Sequence, residues 1–234
     1  MRHRSQNGSG LDRLPLVVAC AALAAFALLT AQVLEGGASA WDRTLFRYLY
    51  NGDSDWLDRG TPGQSDPVLN AAAPVFHVLA DSRGLLLLVA AILVVLIVLR
   101  RGRAAAFFTV AVALTAAVPG LKQLVGRPSP FPQPHDPSFP SGHATLSMSI
   151  AACVVVFVRP GRWRWLAAAL GAVLVLAVGI AVIADSGHWP SDVLAGWCLA
   201  LAWVAVLYAV AGPWLESSAG RERAISAPHS HAPV

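Results

Sequence analysis

The sequence predicts an all-α, polytopic membrane helix bundle with six transmembrane helices, and three observations carry that prediction. Of its 234 residues 56% are hydrophobic and only 13% are charged, whereas a soluble domain has about 25% charged residues. The mean hydropathy is +0.59. Apolar runs of membrane-spanning length recur along the chain, and small groups of arginine punctuate them.

A bilayer core about 30 Å thick takes roughly 20 apolar residues per helix, with about 17 to 25 as the working range. Residues 15–34 form the first such run, 84–99 the second and 104–121 the third, the last two separated only by Arg100-Arg101-Gly102-Arg103. Residues 144–158 form a fourth, short unless its polar start at Ser141 is counted. Residues 166–184 and 193–212 complete the six. The organisation expected from this pattern is a cytoplasmic tail (1–14), a first transmembrane helix (15–34), an outer loop with amphipathic or interfacial helices (35–83), a helical bundle carrying the polar motifs (84–212) and a disordered cytoplasmic tail (213–234). Within the outer loop, residues 41–58 set Leu45, Leu49 and Trp56 among charges and read as an amphipathic surface helix. Residues 67–80 are apolar but broken by Pro74 and bounded by Asp66 and Asp81, which suits an interfacial or re-entrant segment.

Sidedness follows from the rule that Lys and Arg are retained in the cytoplasm. With the N-terminus inside, the cytoplasmic segments hold 11 basic residues against three acids, a net +8, and the opposite side holds six against ten, a net −4. Both termini are therefore expected in the cytoplasm of a plasma membrane. Ala38-Ser39-Ala40 resembles a signal-peptide cleavage site after Arg2, Arg4 and Arg13. The apolar core before it exceeds the usual 7 to 15 residues or so, which favours a retained anchor.

The same composition excludes other classes. A nucleic-acid-binding module needs its basic residues on one polar face, and a disordered chain lacks this hydrophobicity. Cys20, Cys153 and Cys198 all lie inside apolar runs, so they build neither a disulfide framework nor a metal site and read as small core residues.

On this topology three polar clusters share the extracytoplasmic side. Pro140-Ser141-Gly142-His143 opens the fourth span; Ser is a preferred helix cap, Gly admits an anion close to the backbone, and free helix N–H groups suit a phosphate. The plain alternative is an ordinary helix start with an interfacial histidine. His188-Trp189-Pro190-Ser191-Asp192 opens the sixth. Pro190 suits the first helical position, so Asp192 can fold back on His188, fixing its tautomer and leaving one nitrogen as nucleophile or base. Taken alone, the same pair could be interfacial only. Lys122, the one lysine, ends the third span and begins Lys122-Gln123-Leu124-Val125-Gly126-Arg127-Pro128-Ser129-Pro130. Retention of positive charge inside does not explain an outer lysine, although snorkelling does.

Together the clusters resemble the type 2 phosphatidic acid phosphatase (PAP2) superfamily, whose pattern is Lys-x6-Arg-Pro, then Pro-Ser-Gly-His, then Ser-Arg-x5-His-x3-Asp. The resemblance covers residues 81–196 and implies a PAP2-like, haloperoxidase-like core within 84–212. It implies that His188 attacks phosphorus, that Asp192 orients His188, and that His143 protonates the leaving oxygen. Lys122, Ser141 and Gly142 would hold the phosphoryl oxygens. No metal or other cofactor is implied, because fixed donors and cations stabilise the transition-state charge. The implied substrate is a lipid phosphate or diphosphate at the outer leaflet, such as a polyprenyl diphosphate or a phosphatidate-like lipid, and the preference for arginine over lysine with abundant Ala, Val and Gly suggests a bacterial cell envelope. Both family arginines are absent, with Ser129 and Val182 in their places, and Ala181 stands where the family has serine. Arg127 lies two residues from Ser129 and is the candidate to take over one phosphate contact, with His135 a second nearby group; the addition near Val182 is acidic, Asp185. Two alternatives stand beside hydrolysis: the same apparatus could pass the phosphoryl group to an alcohol or sugar acceptor, and loss of both arginines suits a non-catalytic member that binds lipid headgroups or scaffolds other proteins. The oligomeric state is not legible.

Overall fold

A computed structural model describes residues 13–49, 78, 81–130, 137–184 and 187–226, with side chains to residue 215. Trp56, the 67–77 segment, His135 and Asp185 lie outside the described residues. Each of the six apolar runs forms a helix. The first is α1 (Leu14–Gly36), which ends where Gly37 turns the backbone to a φ of 66° and its N–H bonds to Val33 O. After α2 (Ala40–Leu49) comes α3 (Ser82–Val98), capped by Asp81, whose carboxylate accepts from the Arg83 N–H. The third run is interrupted: α4 (Gly102–Ala113) passes through a 3₁₀ turn at Leu114–Ala117 into α5 (Val118–Val125). Pro119 accounts for the break, since its ring crowds the carbonyl four residues earlier and it offers no N–H. The rest is α6 (Gly142–Phe157), α7 (Arg162–Ala184) and α8 (Pro190–Ser226).

Four of these segments, Leu14–Gly36, Gly102–Val125, Arg162–Ala184 and Pro190–Leu215, are long and apolar enough to cross a membrane. α3 and α6 have 17 and 16 residues, at the lower edge of the spanning range. α6 is enclosed along its length. Thr145, Ser147, Ser149, Ile150 and Cys153 are all buried in it, and it packs between α7 and α8.

Close backbone approach holds this centre together, as expected where lipid supplies no hydrophobic drive between helices. A Cβ at Gly196 of α8 would lie 2.6 Å from Ser141 O and 2.9 Å from Thr145 Oγ1, so only glycine fits that crossing. The Trp203 indole N–H donates to Ser149 Oγ at 3.1 Å, a polar tie between α6 and α8. α1 lies along α8 on the outside, and side chains such as Leu28, Leu87, Val98 and Val210 face outward, as lipid contact requires. Of the three cysteines only Cys153 is a core residue; Cys20 is exposed and Cys198 intermediate, so the expectation of three core residues fails for these two.

The helices alternate in direction. At one end Arg101 donates to Phe157 O, Arg103 to Trp214 O at 2.7 Å and Arg164 to Val158 O at 2.9 Å. Phe157 and Val158 end α6, so Arg101 and Arg164 satisfy carbonyls that this helix terminus leaves open. The N-termini of α3, α6 and α8 and the C-termini of α1, α5 and α7 meet at the other end, where the polar clusters gather.

Candidate active site

The local sequence fixes each piece of this end. Gly126 takes a φ of 65° and stops α5 with its N–H on Lys122 O, a conformation that glycine adopts at little cost. The chain then turns sharply, so Lys122 stays on α5 while Arg127 runs inward and is buried. Val118 lies 3.8 Å from where a Cβ on Gly142 would be, and Lys122 follows one turn later on the same face of α5. That face is the one turned toward the start of α6.

At that start Ser141 is fully buried, and its Oγ accepts from the Ala144 N–H at 3.3 Å, as a cap should. Its own N–H donates to Asp192 O at 3.0 Å, which ties the Pro-Ser-Gly-His block to the His-Trp-Pro-Ser-Asp block. His143 sits in the first turn with Nε2 3.3 Å from Ser82 Oγ, at the N-terminus of α3.

Pro190 does begin α8. His188 is 7% exposed, and its Nδ1 lies 3.6 Å from Asp192 Oδ2. The separation is longer than a hydrogen bond, so Nδ1 counts as a buried atom without one; such contacts commonly tighten only when substrate binds. The same Oδ2 accepts from the Trp189 N–H at 2.8 Å. With its proton on Nδ1, the ring presents the Nε2 lone pair.

Arg127 holds Asp192 from the other side, its Nη1 pairing with Oδ1. Its Nη2 pairs with Asp42 Oδ2 at 2.8 Å and donates to Gly37 O at 3.1 Å. Both ion pairs are buried. Arg127, grouped in the sequence with the phosphate-holding residues, thus has its terminal nitrogens directed at two carboxylates. Its Cζ also stands 5.6 Å over the Trp189 ring, and the Trp189 indole N–H donates to Pro128 O at 3.2 Å.

Asp42 is the site residue that the sequence reading missed. The sequence of residues 41–58 suggests an amphipathic surface helix with Leu45, Leu49 and Trp56 among charges. Instead Asp42 and Phe46 are fully buried while Leu45 is 41% exposed. Phe46 packs against Trp189 with centroids 5.2 Å apart. Asp42 accepts the Ser191 N–H at 2.9 Å and the Ser191 hydroxyl at 2.8 Å, so one carboxylate caps the start of α8. It also shares a reciprocal pair of bonds with Ser39 at the start of α2, the pattern of a capping box. Ser39-x-x-Asp42 is legible as a cap; its second helix is not. Of the two departures from the family pattern, Ser129 is partly exposed, and Val182 is 3% exposed and packed in the core.

Fold and site together define an integral membrane helix bundle with a histidine–carboxylate pair and a capped Ser-Gly-His helix start at one end. The model of the PAP2 superfamily matches residues 84–215, more than half of the chain, and the chain belongs to that superfamily. An undecaprenyl-diphosphatase from Sulfolobus acidocaldarius is 40% identical over 80 residues, 32% of this chain and 34% of that relative. The bacitracin transport permease protein BcrC of Bacillus licheniformis is 43% identical over 61 residues, 26% of this chain and 27% of its own length. The matches thus span about a third or less of these curated relatives. Among solved structures, the transmembrane PAP2-type phosphatidylglycerolphosphate phosphatase from Bacillus subtilis shares the fold, with a TM-score of 0.65 at 20% identity, covering 83% of this chain and 96% of that one.

Proposed function

We propose that the chain is a membrane phosphatase that hydrolyses a lipid phosphate or diphosphate through a phosphohistidine. The observation that carries this reading is the bond from the Ser141 N–H to Asp192 O, which locks the two motif blocks together at the meeting of two helix N-termini. Membership of the PAP2 superfamily and partial identity to an undecaprenyl-diphosphatase support a polyprenyl diphosphate among the candidate substrates.

In the first step the His188 Nε2 lone pair attacks phosphorus as the bond to the lipid-side oxygen breaks. That oxygen leaves with the bonding electrons and takes a proton from His143. Asp192 holds the Nδ1 side of the His188 ring, and Lys122, the Ser141 hydroxyl and the Gly142 N–H hold the phosphoryl oxygens. Water, giving its proton to His143, then attacks the phosphohistidine, and the P–N electrons return to His188. Fixed donors at a helix start suit this charge build-up. Arg127 takes no part in holding phosphate in this scheme, because its terminal nitrogens are engaged by Asp42 and Asp192.

The test is phosphate release from farnesyl diphosphate, a long polyprenyl diphosphate and phosphatidate in detergent micelles, with His188→Ala beside the wild type. Release from at least one lipid, lost in His188→Ala, is expected. Equal release would favour the non-catalytic reading that Ser129 and Val182 suggest. The site is proposed to open on the extracytoplasmic side. With Cys20, Cys153 and Cys198 replaced by alanine, Arg83→Cys should react with an impermeant thiol reagent in whole cells, and Arg159→Cys only after permeabilisation. The reverse pattern would invert the topology.

A further inference from the structure

We infer that Asp42 and Arg127 are positioning residues for the nucleophile, acting as a relay that orients Asp192 from the outer helix α2; the inference rests on the hydrolase reading above. Each oxygen of Asp192 has a separate task. Oδ1 is taken by Arg127, and Oδ2 is left for the Trp189 N–H and the His188 ring. The Arg127 guanidinium bridges Asp192 and Asp42 with one nitrogen on each, and with the Trp189 backbone N–H on Oδ2 both oxygens of Asp192 are held.

Arg127 alone would also cancel the charge of Asp192. Asp42 prevents this. Two carboxylates and one guanidinium, buried together, carry a net charge of −1, which matches the positive charge that the His188 ring acquires when its Nε2 bonds to phosphorus. In a low-dielectric site such a match matters far more than it would in water. Asp42 further holds the Ser191 N–H and hydroxyl, and Ser191 Oγ itself receives Arg127 Nη1 at 2.7 Å. The start of α8, the orienting carboxylate and α2 therefore move as one unit. Four residues from three separate stretches of chain close this relay, and none of them needs to touch substrate.

The full-length protein is tested as Asp42→Ala, Arg127→Gln and Arg127→Lys, with kinetics on the lipids named above and amide hydrogen exchange of the peptide covering residues 187–194. Asp42→Ala and Arg127→Gln are expected to lower kcat by about 10-fold to 100-fold, the cost typical of losing a group that orients a functional histidine. KM should stay within about 2-fold, since no substrate contact is lost. Arg127→Lys should recover part of the kcat loss. Exchange at 187–194 should speed up in Asp42→Ala, because the Ser191 N–H loses its acceptor. A rise in KM with kcat preserved would overturn the inference by making Arg127 a substrate contact. Faster exchange with unchanged kcat would also overturn it, leaving structural support only. If Arg127→Gln fails to fold, Asp42→Ala and Arg127→Lys still decide the question. If wild type and His188→Ala release phosphate equally, the hydrolase reading is what fails. The positioning role then falls with it, because faster exchange by itself reports structural support only.

Discussion

The two halves of the candidate site are built differently. On the α8 side, His188, Asp192, Ser191, Arg127 and Asp42 are all buried, and charge pairs lock them. On the α5 and α6 side, Lys122, Gly142 and His143 are only partly buried, as is Ser129, which stands where the family pattern has arginine. On the proposed reading, His188 is held by the protein before substrate arrives, whereas Lys122, Gly142 and His143 keep partial exposure where the phosphoryl group would bind. A buried ion pair earns little net stability but is costly to break from one side. Its presence here fits a demand for orientation.

Substitutions on each side can break or sharpen that contrast. The largest effect is expected from His143→Asn on the open side: it removes the proton donor and should lower phosphate release by about 100-fold to 10,000-fold, while thermal stability stays near wild type. A large loss of melting temperature instead would mean that His143 supports the fold, and the contrast would fail. Gly196→Ala strikes the seam between the halves. Its methyl would meet Ser141 O at 2.6 Å, and overpacking of this kind costs roughly 1 to 3 kcal/mol, so both melting temperature and turnover should fall. Unchanged turnover would show that the spacing of α6 and α8 is not critical. The smallest effect belongs to Ser82→Ala, which removes one contact to His143. A neutral hydrogen bond is worth about 0.5 to 1.5 kcal/mol, so turnover should drop by about 2-fold to 10-fold, and a larger drop would mark Ser82 as a direct substrate contact.

Much of the fold was legible in the sequence because lipid imposes a one-dimensional rule. An apolar run of sufficient length must be a helix, and all six runs are. The interruption at Leu114–Ala117 was not foreseen, though Pro119 signals it. The Ser141 cap and the Pro190 helix start were legible too, since both depend on neighbours in sequence. The relay was not. Arg127 and Asp42 are 85 residues apart, and Asp42 and Ser191 are 149 apart, so no spacing announces them. In the sequence Asp42 is one more charge in an outer loop, and Arg127 looks like a substitute for a missing phosphate ligand. Only the turn at Gly126, which sends Arg127 inward, shows that its charge is already matched.

The central claim is that His188 is a nucleophile held ready by its surroundings. It is tested most directly by rapid acid-free quenching of the protein during turnover of a lipid diphosphate labelled in its terminal phosphate, followed by peptide mapping. The account predicts an acid-labile, base-stable label on the peptide containing His188, absent in His188→Ala and reduced in Arg127→Gln. Steady phosphate release with no label on that peptide, or with label retained in His188→Ala, would contradict it.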